Sequence, residues 1–315
     1  MNKKILGFDI GGTKTSLVLG DSNGNIYCKH LFPTLSSKGF KKSFETIVHE
    51  TKGFIKKISK EAHRIDFLSV SIGGPLHVEK GIILSPPNLP GWNNIPLKKL
   101  LEKEFKKKCF IEHDGNAGAL AEYYFGAGKG YKNIVFLTMG TGMGAGLILN
   151  GNIYRGSTDT AGEIGHIRIA EDGPLAYGKK GSYESYASGN GIAKLAHLHF
   201  PAIYKKNITA KEIFEDFNKN KREAKFIVNL SAKYLGRGLA IIADMLNPDI
   251  IIIGSLAVRM GSSLLKPAIK EMKKEALKET FNNCKIVPSK LGDKIGDIAS
   301  LCSAIHQNKK KSSIN

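Results

Sequence analysis

Cysteine is scarce and scattered. Cys28, Cys109, Cys284 and Cys302 are the four in 315 residues, and none forms a CxxC pair. This spacing offers neither a disulfide framework nor a zinc cluster, and it suits a reducing cytoplasm. Long apolar runs are also missing. None approaches the roughly 20 residues needed to cross a bilayer. The opening Met1-Asn2-Lys3-Lys4-Ile5 has no apolar stretch of signal-peptide length, so no membrane partner is expected. Acidic residues are few, 28 against 47 lysines and arginines, for a net charge of +19. Such a charge invites a nucleic-acid reading. The lysines, however, spread over helical stretches such as 98–108 and 266–278 with glutamates between them. No helix-turn-helix or zinc finger is recognisable. A solvated basic surface is expected, with no nucleic-acid partner and a field that draws polyanionic small molecules.

What is present is an ordinary globular composition, 42% apolar and 24% charged, long enough for two cores. Strands are expected at 4–9, 15–20 and 26–31, a helix at 41–62, and a strand at 67–72 ending in Gly73-Gly74-Pro75. A proline-rich loop fills 82–92. A helix at 96–107, a strand at 110–113 and a helix opening at 117 follow. The pattern then repeats. Asp9-Ile10-Gly11-Gly12 leads to Asn23-Gly24-Asn25-Ile26-Tyr27, and Thr138-Met139-Gly140-Thr141-Gly142 leads to Asn150-Gly151-Asn152-Ile153-Tyr154. This is a duplicated strand, glycine turn and hairpin, too few copies for a solenoid and suited to two lobes with a ligand between them. Helices are expected at 185–199, 210–218, 221–247 and 264–279. The four isoleucines of 250–253 read as a buried parallel strand. A strand at 285–288 and a helix at 298–306 close the pattern, and 308–315 reads as a disordered polar tail. The whole is α/β.

The chemistry gathers in 111–166. Glu112-His113-Asp114-Gly115-Asn116 carries a buried-looking acid. Glycine turns after strands occur at Gly11-Gly12-Thr13-Lys14, Gly140–Gly146 and Gly254-Ser255. Such turns bring backbone N–H groups onto phosphate oxygens. A dinucleotide site would need the turn to open a helix, but Gly146 leads into Leu147-Ile148-Leu149, a strand. There is no GxxxxGK[ST]. Asp9 and Asp114 each stand at a strand end. An acid there can be a helix cap. It can also serve as base (Asp114) or face Mg²⁺ through water (Asp9). Thr13, Lys14 and Thr141 are placed to hold phosphate oxygens. Glu163 and His166 lie three apart in a glycine-framed loop, a polar pair suited to vicinal hydroxyls.

Together these segments resemble the ROK family of repressors and sugar kinases, over roughly 5–306. Asp9–Lys14 and Leu137–Gly144 resemble its two phosphate motifs, Ala161–His166 its sugar-binding segment, and Asn247–Gly254 its nucleotide-side strand. The resemblance implies a two-lobed, actin-like and ribonuclease-H-like fold. One lobe would be 1–115, joined by a C-terminal helix at 298–307, and the other 116–297. It implies an ATP- and Mg²⁺-dependent hexose kinase, glucokinase-like, acting at the 6-hydroxyl, cytoplasmic and homodimeric. Asp114 would be the base, with Asn88, His113, Glu163, His166 and Glu184 around the sugar. Asp9, Gly11, Gly12, Thr13, Lys14, Gly140, Thr141, Gly142, Gly254 and Ser255 would serve ATP and Mg²⁺. Three features depart from the family pattern. His113 replaces the usual Asn before the base, which leaves N-acetylhexosamine, mannose or fructose as alternative substrates. The zinc segment CxCGxxGCxE reads Leu175-Ala176-Tyr177-Gly178-Lys179-Lys180-Gly181-Ser182-Tyr183-Glu184, without a cysteine, so no zinc is expected. Gly73-Gly74-Pro75 replaces a proline-glycine-proline run. A non-catalytic sugar-sensing regulator is the rival from another class. The lack of a helix-turn-helix ahead of the first strand counts against it.

Overall fold

Short apolar segments bounded by Asn, Asp and Gly turns fold as strands, and longer stretches of 3.6-residue period fold as helices. A computed structural model describes residues 2–58 and 65–312. The chain forms two units. One holds residues up to 125, then 155–161 and 293 onward; the other holds 126–154 and 162–292.

In the first unit, β1 (Lys4–Ile10), β2 (Lys14–Asp21), β3 (Ile26–Pro33), β4 (Ile65–Ile72) and β7 (Lys108–His113) form one sheet in the order β3-β2-β1-β4-β7. Between the last two lie a short hairpin, β5 (Leu76–His77) with β6 (Ile82–Ile83), and helix α2 (Leu97–Phe105). The β2–β3 turn is organised by Asp21, whose Oδ1 accepts from Asn23 N–H and Asn25 N–H at 2.9 and 3.0 Å. β1, β4 and β7 run parallel, so their C-terminal ends share one edge. Helix α1 spans Gly39–Lys57 rather than 41–62; residues 59–62 of the expected helix lie outside the described residues. Phe8, Leu68, Val70, Trp92 and Leu97 are fully buried in this unit's core. Each such side chain contributes roughly 1.5–3 kcal/mol of burial. The C-terminal helix, Ile295–Ser312, packs on β1, β4 and α3 (Asp114–Phe125). It starts earlier and runs further than the expected 298–306, taking in much of the expected polar tail; residues 313–315 lie outside the described residues.

The second unit repeats the topology. Strands β8 (Ile134–Leu137), β9 (Ala145–Leu149), β10 (Asn152–Tyr154), β13 (Ile250–Ile253) and β14 (Lys285–Pro288) form a sheet in the order β10-β9-β8-β13-β14. The four isoleucines of β13 are buried between parallel neighbours on both sides, as their unbroken apolar run required. A small hairpin, β11 (Leu175–Ala176) with β12 (Lys179–Lys180), precedes α4 (Tyr183–Ala187) and α5 (Gly189–His199). The periodicity of 185–199 suggested one helix. Ser188 divides it, because its hydroxyl accepts from Gly191 N–H at 3.0 Å and so starts a new helix. Helices α6 (Ala210–Asn218), α7 (Arg222–Leu246), α8 (Leu256–Met260), α9 (Ser262–Glu275) and α10 (Lys278–Asn283) complete the unit. The stretch 264–279 is thus also two helices, with Ala276 extended between them. Among the described residues α7 alone is long and apolar enough to cross a bilayer; its Ile227, Leu235, Leu239 and Ile242 are buried, with α9 and α4 packed against the helix.

Candidate active site

In the first unit the parallel register sets Asp9 level with Glu112, and Ile10 level with His113. The C-terminal ends of β1 and β7 therefore flank β4 and carry Asp9, His113 and Asp114 on one edge, where α/β sheets bind ligands. Asp114 is the first residue of α3, not a cap ahead of a helix starting at 117. Its Oδ1 accepts from Gly115 N–H at 2.7 Å, and its side chain is 52% exposed. The buried acid of this segment is instead Glu112, 1% exposed. Arg155 grips that carboxylate through Nη2 and through Nε at 3.1 Å. Asn116 Nδ2 adds a bond at 3.1 Å. His113 Nδ1 lies 3.3 Å from Gly115 N and 3.4 Å from Asp114 Oδ1, so the ring packs directly against the proposed base. The ring fills the space over Gly74, where a Cβ would stand 2.7 Å from Cδ2.

Asp9 sits under pressure. Burial, and then the charges of Asp114 and Asp297, push its carboxyl from 3.8 up to about 7 against the pull of Lys14 and Lys29. The turn after it is tightly braced. Gly11 N–H donates to Lys14 O at 3.0 Å. Thr34 Oγ1 donates to Gly11 O at 2.7 Å, and Ser36 Oγ to Gly12 O at 2.5 Å. Gly12 touches the loop bearing Asn88 so closely that a Cβ would lie 2.3 Å from Asn88 O. The first phosphate-type turn and the Asn88 loop are thus one assembly, with Thr13 and Lys14 exposed beside it.

In the second unit, Gly254 N–H donates to Leu137 O at 2.8 Å and Leu256 N–H to Met139 O at 3.2 Å. These bonds set Gly254-Ser255 against the 138–146 loop. The α5 N-terminus docks there too, with Gly189 N–H on Gly140 O at 2.8 Å and Asn190 N–H on Thr141 O at 3.1 Å. A cavity of about 840 Å³ opens here, lined by Gly140, Thr141, Asn190, Ser255, Phe214 and Arg259 among others. Its size and its mixture of polar and apolar lining residues suit a nucleoside-sized ligand. Met143 N–H donates to Glu184 Oε2 at 2.9 Å. Glu163 and His166 face each other at 3.9 Å around a short turn, Ile164–His166. The His166 ring stacks on Tyr177, and Tyr177 donates to Glu184 at 2.5 Å. Glu163, His166 and Glu184 therefore form one cluster.

Several participants escaped the sequence reading. Gly189 and Asn190 lie inside the helix expected at 185–199, and Thr34, Ser36, Arg155 and Asp297 belong to none of the motifs. Tyr177 left one signal, an aromatic residue immediately before a turn glycine.

The segment 175–184 does not fit zinc. Leu175 offers no donor, the Tyr177 ring lies on His166, and the Ser182 hydroxyl caps α4 by accepting from Ser185 N–H at 3.3 Å. Mg²⁺ asks less of the protein, often one carboxylate plus waters and substrate phosphates. Asp9, crowded by two further carboxylates, fits that role. Among the described residues no three His, Cys, Asp or Glu side chains converge as a direct metal cage.

Two five-stranded sheets of identical order, each opening on a strand, a glycine turn and a hairpin, define the actin-like α/β fold of sugar kinases and their relatives. The chain belongs to the ROK family, whose model matches residues 5–304. It is 33% identical over 308 residues to a glucokinase of Halalkalibacterium halodurans, covering 93% of this chain and 92% of that protein. A xylose repressor of Caldicellulosiruptor bescii is 27% identical, covering 95% of this chain and 78% of the repressor. The crystal structure of a ROK family glucokinase from Streptomyces griseus, in complex with glucose and AMPPNP, superimposes with a TM-score of 0.78 at 28% identity, covering 95% and 98% of the two chains.

Proposed function

We propose that this chain is an ATP- and Mg²⁺-dependent hexose kinase of glucokinase type that phosphorylates the 6-hydroxyl, with Asp114 as general base. The observation that carries the reading is Asp114 itself, an exposed carboxylate at the head of α3 on the sheet edge shared with Asp9. Its Oδ1 is held by Gly115 N–H, which leaves Oδ2 to take the sugar hydroxyl proton. The hydroxyl oxygen attacks the γ-phosphorus, the bond to the bridging oxygen breaks, and ADP leaves. Mg²⁺, when bound near Asp9, would offset the charge on the phosphates. Gly11, Gly12, Thr13 and Lys14 in one unit, and Gly140, Thr141, Gly142, Gly254 and Ser255 in the other, are assigned to the nucleotide. The 840 Å³ cavity is assigned to its nucleoside. Asn88, His113, Glu163, His166 and Glu184 are assigned to the sugar. The similarity to a glucokinase at 33% identity supports this reading. The family resemblance brings with it a homodimer in the cytoplasm, and no zinc is part of the reading.

His113 stands where an amide is usual, and N-acetylhexosamine, mannose and fructose are the alternative substrates for that reason. Similarity to a xylose repressor supports a second reading, a sugar-sensing regulator without turnover. An ADP-release assay across hexoses and N-acetylhexosamines decides between them. ADP formation with one sugar supports the kinase. Calorimetric sugar binding without ADP formation on any sugar supports the regulator.

A further inference from the structure

The hairpin β11–β12 turns through Tyr177-Gly178, with φ of 53° and 71°. A two-residue hairpin turn with both φ positive favours Asn-Gly, because a short amide side chain tolerates the left-handed region. The same chain provides the comparison. The β9–β10 turn is Asn150-Gly151, with φ of 51° and 75°. An aromatic residue in that conformation is strained, and it persists only where its surroundings hold it.

Two contacts hold Tyr177. Its ring stacks on the His166 imidazole, with centroids 3.5 Å apart and planes at 24°. Its hydroxyl donates to Glu184 Oε2 at 2.5 Å. Burial, followed by the bond to Glu184 and its charge, pushes the hydroxyl's pKa up from its ordinary value, further above neutral pH. The same Oε2 accepts Met143 N–H from the glycine loop at 2.9 Å. Oε2 thus has two donors, and Oε1 is left for a ligand hydroxyl. One face of the imidazole is covered by the Tyr177 ring.

We propose that Tyr177 is a positioning residue, a clamp that fixes His166 and Glu184 in one arrangement for sugar hydroxyls and ties that arrangement to the 138–146 loop. The identity of the ligand rests on the hexose-kinase reading; the clamp itself does not. It acts by pre-organisation, removing freedom that the two side chains would otherwise lose on binding.

Tyr177→Asn separates the clamp from the turn, since Asn suits the backbone and removes both contacts. It is expected to keep or raise the melting temperature. With the hexose turned over fastest, it should raise the sugar KM about tenfold or more while leaving the ATP KM within about twofold. Tyr177→Phe, which keeps the ring, should recover part of the loss. In the NMR spectrum the His166 ring protons should carry a ring-current shift that Tyr177→Asn abolishes and Tyr177→Phe retains. A sugar KM for Tyr177→Asn within about twofold of the parent would overturn the proposal, as would unmoved His166 resonances. Should the parent protein turn over no hexose, the kinase reading fails by itself. The His166 resonances then judge the clamp, their movement supporting it and their constancy overturning it.

Discussion

The Arg155 guanidinium forks onto the Glu112 carboxylate, with Nε 3.1 Å from Oε2 and 3.3 Å from Oε1. Glu112 is 1% exposed and lies two residues before Asp114. Removing one partner of a buried pair leaves the other charged and desolvated, at about 3–5 kcal/mol. Arg155→Ala should therefore lose close to that amount, read as a lower denaturant midpoint at unchanged m-value. Arg155→Lys should lose less but still measurably, since an ammonium cannot make the fork. A loss below about 1 kcal/mol for the alanine variant would mean that water solvates Glu112.

Asp114→Asn keeps the size of the side chain and removes the proton acceptor. Turnover should fall by about 10²–10⁴-fold, with the melting temperature and sugar affinity little changed. Near-parental turnover in the ADP-release assay would remove Asp114 from the role of base.

The Asp9 carboxyl fixes a pH dependence of stability. Its folded-state pKa of about 7 lies above its ordinary 3.8, so between those values the folded protein holds a proton that the unfolded chain has released. Stability thus falls as pH rises through that window, and the full penalty stands above it. Asp9→Asn should be more stable than the parent at about pH 8, the gap closing by about pH 4. Thermal denaturation of both proteins across this range tests the sign, and a gap that widens toward acid pH would contradict it.

Gly12→Ala drives a Cβ to 2.3 Å from Asn88 O, a backbone atom that no rotamer change can move. The two loops must separate, at a cost of about 1–3 kcal/mol. Both ATP and sugar KM should rise, because Gly12 is assigned to one ligand and Asn88 to the other. Unchanged KM values and an unchanged melting temperature would mean that the loops are not held together as one assembly.

Local pattern made much of this legible. β13 reads as a buried strand because four isoleucines in a row have no polar face to turn outward. The two Asn-Gly hairpins and the glycine turns before them show the duplication because turn chemistry is set by a few adjacent residues. Asp114, Glu163 and His166 stand out as polar groups framed by glycine. The break at Ser188 does not show, since the apolar period runs through it. What divides it is the Ser188 hydroxyl, which caps the second helix by accepting from Gly191 N–H, together with Gly189 and Asn190 N–H groups spent on the 138–146 loop. Arg155 is 43 residues from Glu112 in sequence, and nothing near either one names its partner.

The sequence by itself determined the fold, the paired glycine turns and the acid at the strand end, because these rest on periodicity and on residues a few positions apart. Only the tertiary structure decided which acid is buried, why the Asp9 carboxyl titrates above its ordinary range, and what occupies the cysteine-less segment. Those outcomes depend on desolvation and on contacts between distant residues, and Tyr177 lying on His166 is such a contact.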